Sequence, residues 1–228
     1  MPPDSTAPTA APVVTPARAA PTASAGGEPA HPDGPALMSG PADPQSAGAA
    51  YWEPLWQEGR RYRTIDAAEA DALRRRLGPG RDRPALDIGC GEGALTAQLH
   101  RLGYRTTGID CAPTAVASAR GNHPDLDFRV HDFGIDDPAL LPHPAFTAIT
   151  CRLVFRWVTD RDTFLSRVRD LLTPGGTFWV VTSVHDPAQG PPKPWDLSAE
   201  EADRLTTAWS GVHPTELTPS FHCYALRP

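Results

Sequence analysis

The nonapeptide Ala85-Leu86-Asp87-Ile88-Gly89-Cys90-Gly91-Glu92-Gly93 constrains this chain more than any other stretch. An apolar run leads into three alternating glycines, and then into Ala94 to Leu102 with Leu95, Leu99 and Leu102 on one side. That order reads as a buried strand, a tight turn and a helix. Glycine is needed where the backbone takes a positive φ or where a ligand must approach the main chain with no Cβ in between. In the dinucleotide fingerprint the third glycine follows the second by three residues, so that pyrophosphate can sit on the helix N-terminus. Here Gly93 comes only two residues after Gly91, and the strand carries Asp87, an acid that would repel a pyrophosphate.

From Tyr51 onward, helical patterns alternate with short β-branched or aromatic runs, the signature of an α/β fold with a mostly parallel sheet. Asp66 and Glu69 are spaced as a capping box for a helix to Leu77, stopped by Gly78, Pro79 and Gly80. Strands are expected at 85–88, 106–110, 127–130, 146–150 and 177–182. Helices are expected at 94–102 and 113–120, and where Phe164, Leu165, Val168, Leu171 and Leu172 recur at helical spacing. Pro174, Gly175 and Gly176 form the turn before the fifth strand. Ser198 and Glu201 cap a further helix to about Trp209, and the runs 212–217 and 221–226 form an antiparallel C-terminal hairpin.

The first 50 residues behave differently, with 11 of the 27 prolines, 14 alanines and no Phe, Trp or Tyr. Such a stretch cannot bury enough apolar area to offset the entropy of ordering it, so residues 1–50 are expected to be a disordered tail and 51–228 one domain. The second methionine is Met38, and translation from it would leave out most of the tail. A net charge of −6 argues against a protein built to grip the nucleic-acid backbone. The Arg-dense stretch 60–83 is read first as a solvated helix face. Cys90, Cys111, Cys151 and Cys223 have neither disulfide nor metal-ligand spacing, and no run approaches the ~20 apolar residues of a membrane span. A reduced, cytoplasmic setting with no bound metal is expected.

The glycine turn resembles the first motif of the class I S-adenosylmethionine-dependent methyltransferases, and the resemblance extends from Tyr51 to the C-terminus. Asp110 ends the second strand, where the family places an acid on the two ribose hydroxyls. His131-Asp132-Phe133 follows the third, where the family has an Asp for the adenine amine beside an apolar residue on the ring. Cys151-Arg152-Leu153-Val154-Phe155-Arg156-Trp157 follows the fourth, and Leu171 to Thr177 matches the turn into the fifth. The resemblance implies a Rossmann-like, doubly wound fold with S-adenosylmethionine as cofactor. It implies cofactor contacts at Asp87, Gly89, Cys90, Gly91, Gly93, Asp110, Cys111, Asp132, Phe133, Cys151 and Arg152. Asp87 suits the cofactor's amino group, directly or through water, and Arg61, Arg63 and Arg152 are candidates for its carboxylate. Tyr51, Trp52, Trp56 and Tyr62 resemble the helix that covers the cofactor, with packing on the core as the alternative.

Two residues are candidates for handling the acceptor. Related small-molecule enzymes often have His where Arg156 stands; Arg cannot serve as a base, so an anion-holding role is open to it. His185, after the fifth strand, could accept a proton. The expected function is methyl transfer to an O, N or C atom of a small molecule. An RNA or protein methyltransferase and a non-catalytic cofactor-binding regulator are the alternatives.

Overall fold

Eight strands form one sheet in which β1 (Pro84–Ile88) lies between β2 (Arg105–Asp110) and β4 (Phe146–Arg152). The structure is a computed structural model that describes residues 48–207 and 209–228. Residues 1–47, most of the expected tail, lie outside the described residues. The sheet order is β3-β2-β1-β4-β5-β8-β7, with β3 at Asp127–Val130, β5 at Leu172–Val184, β7 at Gly211–Glu216 and β8 at Phe221–Arg227. Strands β1 to β5 run parallel, and β8 pairs antiparallel with both β5 and β7. The short β6 (Asp196–Leu197) adds a parallel pair at the end of β5.

Alternation along the strands loads both faces of the sheet. Leu86, Ile149, Phe178, Val180 and Tyr224 point to one core, where α5 (Arg161–Leu171) and α6 (Ala199–Thr207) contribute Phe164, Val168 and Leu205. Ala85, Ala148, Trp179, Val181 and Ala225 point to the other, against Leu73 of α2 (Ala67–Leu77) and Leu95 and Leu99 of α3 (Ala94–Arg101). Parallel strands need both faces covered, and the helices between them do this. The remaining helices are α1 (Ala49–Gln57) and α4 (Pro113–Asn122).

The chain departs from the sequence expectations at a few places. Helix α1 starts at Ala49, just inside the segment assigned to the tail. Strand β5 starts at Leu172, because Leu172 already pairs with Phe146. The register then jumps to Ala148↔Thr177, so Pro174-Gly175-Gly176 turns within the strand as a bulge. Helix α4 continues through Gly121 to Asn122. The Ser198–Glu201 box closes in both directions, at 2.7 and 3.2 Å. At α2 only half of the expected box forms: Asp66 accepts from the Glu69 amide, and the Glu69 side chain goes elsewhere. Among the described residues no helix is long and apolar enough to cross a membrane.

Candidate active site

Chain connectivity leaves β1 on one side toward β2 and returns on the other as β4, so the strand order reverses between β1 and β4. In open parallel sheets a crevice forms at the carboxyl ends of the strands at such a reversal. The glycine turn lies at this point. Gly89 has φ +69°, and a Cβ there would come within 2.2 Å of Val154 Cγ2, beyond the end of β4. Gly93 has φ +85° and leaves room for Phe128 and His123. The amides of Gly89 and Cys90 both donate to the Ile109 carbonyl, at 2.8 and 2.9 Å, which ties the turn to β2.

Asp110 is bound into the same unit. Its carboxylate accepts from the Gly91 amide and from the Ala112 amide, both at 3.0 Å. Each oxygen keeps a lone pair for a further donor. Burial raises the Asp110 pKa, the two amide bonds oppose that shift, and the nearby Asp132 and Glu53 carboxylates add to it. The crevice therefore concentrates negative charge beside a glycine-lined backbone.

Asp87 sits beneath the turn, 1% exposed, and accepts from the hydroxyls of Thr96 and Thr150 at 2.7 Å each. Burial pushes its pKa up to about 6 even though both hydroxyls favour the charged form. It acts as a buried anchor joining β1, α3 and β4, rather than as an exposed acid lining the crevice.

Helix α1 lies against this region through several contacts. Glu53 accepts from the Thr114 amide (3.0 Å) and hydroxyl (2.5 Å), supplying the N-terminal cap that α4 lacks from its own Ala112. Trp56 packs with Ala112 and Ala115 and comes close enough to Gly91 that a Cβ there would meet it at 3.3 Å. Tyr51 and Trp52 meet Trp157, which follows β4, with ring centroids 6.3 and 5.3 Å apart. The Tyr62 ring contacts Trp52 and Trp56, and its buried hydroxyl has no hydrogen-bond partner among the described residues. Burial pushes the Tyr62 pKa up to about 12, with Tyr51 and Asp110 contributing.

Asp132 lies beside α1, with Oδ2 3.1 Å from where a Cβ on Gly48 would stand, and its Oδ1 accepts from the Gly134 amide. The Phe133 ring is buried in the core, 5.0 Å from the Phe164 ring. The thiols of Cys90 and Cys151 are likewise core groups: Cys90 packs with Val116, Ala119 and Phe128, and Cys151 with the β-strand core. Cys111 is partly exposed, its thiol pushed up to about 12 by burial and by Asp110.

Arg152, a candidate for the cofactor carboxylate, is engaged within the chain. Its Nε and Nη2 donate to Glu69 at 2.6 and 3.0 Å, and its Nη1 and Nη2 to the carbonyls of Arg63 (2.6 Å) and Thr64 (3.0 Å). Arg63 pairs with Asp66 and Glu69. Arg61 pairs with Glu92 of the glycine turn at 2.7 Å and lies over the Trp56 ring. Arg156 donates to the Pro194 carbonyl at 3.1 Å and is 3.7 Å from Glu201, which holds Arg161 more closely. His185 follows β5, partly exposed, its amide bonded to the Leu197 carbonyl. Sequence reasoning missed Glu69 as a site-supporting residue, since its spacing from Asp66 fits an ordinary cap.

Comparison with known proteins agrees with this geometry. Residues 86–180 match the methyltransferase domain family. The ubiquinone biosynthesis O-methyltransferase of Xanthomonas campestris pv. campestris (strain B100) is 36% identical over 107 residues, 45% of this chain and 44% of the relative. The enzyme of the same name from Xanthomonas axonopodis pv. citri (strain 306) is 35% identical over 117 residues, 50% of this chain and 48% of the relative. The chain thus spans about half the length of these curated relatives. Among solved structures, a DhpI-SAM-HEP complex superposes with a TM-score of 0.60 at 23% identity, over 78% of this chain and 95% of that one. The glycopeptide N-methyltransferase MtfA complexed with sinefungin superposes with a TM-score of 0.56 at 16% identity, over 72% and 95%. Residues 86–180 of this chain therefore carry a methyltransferase domain, on the mixed α/β, Rossmann-like fold that these structures share.

Proposed function

We propose that the chain is a methyltransferase that uses S-adenosylmethionine to methylate an oxygen of a small-molecule acceptor in the cytoplasm. The observation that carries the cofactor reading is the Asp110–Gly91 unit at the strand-order reversal, where a carboxylate with free lone pairs adjoins backbone that a ligand can approach closely. The residues fit such a cofactor. Asp110, Asp132 and Glu53 suit a molecule with a sulfonium and an ammonium, Trp56 and Tyr62 supply aromatic faces for a cation, and the Tyr62 hydroxyl lacks a partner among the described residues, one that a ligand would provide. When bound, S-adenosylmethionine supplies an activated methyl group with a neutral thioether as the leaving group.

The chain's own contribution is alignment and exclusion of water. Asp110 and Asp132 hold hydroxyl and amine donors, the former through charge-assisted bonds of roughly 1.5–3 kcal/mol each. Helix α1 covers the crevice through Trp56 and Glu53. Holding nucleophile and methyl in line supplies up to ~7–11 kcal/mol of the barrier reduction. His185 takes the acceptor's proton, and Arg156, held by Pro194 and Glu201, shapes the acceptor side at the end of β4. Oxygen is preferred as the methylated atom because the curated relatives are O-methyltransferases. A small acceptor is preferred over RNA because Asp66, Glu69, Asp71 and Asp82, the acids within the Arg-dense stretch, each hold a guanidinium.

Calorimetry should show binding of S-adenosylmethionine or its demethylated product and none of NAD. Incubation with labelled cofactor and a metabolite extract should yield a labelled small product. NAD binding without any response to S-adenosylmethionine would sink the cofactor reading, and label found only in RNA or protein would sink the acceptor reading.

A further inference from the structure

Glu69 is fully buried and meets two guanidiniums: Arg152 in a two-pronged contact and Arg63 Nη1 at 3.1 Å. Removing such charges from water is costly, and an apolar pair of similar volume often stabilises a fold at least as well. What an apolar pair cannot do is hold a backbone segment in one place. Arg152 does this, because its remaining donors grip the carbonyls of two successive peptides, those of Arg63 and Thr64. The planar fork of arginine matches a carboxylate on one edge while reaching acceptors on the other, which lysine cannot reproduce.

The clamped peptide comes directly after Tyr62. The Tyr62 ring lies under α1 against Trp52 and Trp56, and its hydroxyl is buried and unpartnered among the described residues. A buried polar group without a partner calls for an explanation. Trp56, whose ring centroid is 5.3 Å from that of Tyr62, rests on Gly91, and the Gly91 amide donates to Asp110 at 3.0 Å, so the ring stands over the same turn that holds the carboxylate. The other end of the clamp is the end of β4, followed by Leu153 at φ +61° and by Val154, the side chain that rests where a Gly89 Cβ would be. The guanidinium therefore connects the covering segment to the floor of the crevice.

We propose that Glu69 and Arg152 form a positioning strut that holds Tyr62 beside Asp110, and that the Tyr62 hydroxyl is a ligand-binding donor of the cofactor site. This rests on the cofactor reading above. Glu69 fixes the orientation of Arg152, Arg152 fixes the backbone at residues 63 and 64, and that backbone fixes where the tyrosine ring stands.

The test is a double-mutant cycle read by calorimetry with S-adenosylhomocysteine, with melting temperatures measured in parallel. Tyr62→Phe removes only the hydroxyl and should weaken binding about fivefold, the worth of one hydrogen bond. Arg152→Lys should weaken it by at least as much. The double variant should be no weaker than the worse single one, because both changes remove the same contact. Glu69→Leu/Arg152→Met removes the clamp while preserving an apolar fit; it should melt near the wild-type temperature and still bind weakly. Unchanged affinity in Tyr62→Phe, or wild-type affinity in the apolar pair, would overturn the strut. Multiplying losses in the cycle would do the same. A wild-type chain that does not bind S-adenosylhomocysteine would overturn the cofactor reading itself and the strut with it.

Discussion

Replacing Gly89 with alanine puts two separable costs on the glycine turn. The first is conformational: a residue with a Cβ held at φ +69° loses roughly 1–2 kcal/mol relative to glycine. The second is steric. The new Cβ would lie 2.2 Å from Val154 Cγ2, and valine is stiff about χ1, so the clash cannot be relieved by a small rotation. Overpacking of this kind costs typically 1–3 kcal/mol. Gly89→Ala should therefore destabilise the domain by about 2–5 kcal/mol, which at 2–4 °C per kcal/mol is a fall of order 10 °C in Tm. Val154→Ala removes Cγ2 and leaves Val154 Cβ at 3.3 Å from the new Cβ, close but tolerable. The double variant should recover the steric cost and retain the conformational one. Urea unfolding of all four proteins measures this directly, with an expected favourable coupling of about 1–3 kcal/mol. If the two substitutions simply add, Val154 is not what excludes a side chain at Gly89, and the close packing of the two strand ends is refuted.

Three further outcomes follow from the same geometry. Asp110→Ala should weaken S-adenosylhomocysteine binding at least tenfold and also lower Tm, since the Gly91 and Ala112 amides lose their acceptor; unchanged affinity would reduce Asp110 to a cap of α4. Asp87 has a folded pKa of about 6, above its unfolded value near 3.9, so the native state binds the extra proton and this group lowers stability as pH rises through that interval. Asp87→Asn should gain on the wild type by about 2–3 kcal/mol between pH 4 and pH 7 in urea titrations, and a gap that does not change with pH would show that burial does not perturb the carboxyl. Glu53→Ala should loosen α1 from α4, seen as faster amide exchange at residues 49–57 and a red shift in tryptophan emission; unchanged exchange would show that Trp56 alone seats the helix.

The residues that were legible in the sequence are those whose roles are written in local pattern. Leu86 and Ile88 alternate with Asp87, so β1 could be placed without knowing its neighbours, and the glycines at 89, 91 and 93 announce positive φ by residue type alone. Asp110 ends a recognisable strand at a set distance from that turn, and the structure joins it to Gly91 by a hydrogen bond. The direction of the Phe133 ring is not legible in the same way. Position after β3 locates a backbone, but the direction of the side chain depends on the partner, and Phe164 of α5 captures the ring.

Glu69 and Arg152 show why the remainder could not be read in this way. They are 83 residues apart and meet only after β4 has entered the sheet and α2 has packed behind it. An acid three residues into a helix looks like a cap in any sequence, and a single arginine among twenty carries no mark of its partner. Periodicity records which face a side chain occupies, whereas an ion pair depends on which faces the topology brings together. The covering segment makes the same point. Its aromatic residues identify a packing surface, but Tyr62 has a buried hydroxyl without a partner among the described residues, a property that exists only once Trp52 and Trp56 pack against it. The chemistry of this crevice thus depends on local motifs for its floor and on long-range charge pairing for its cover.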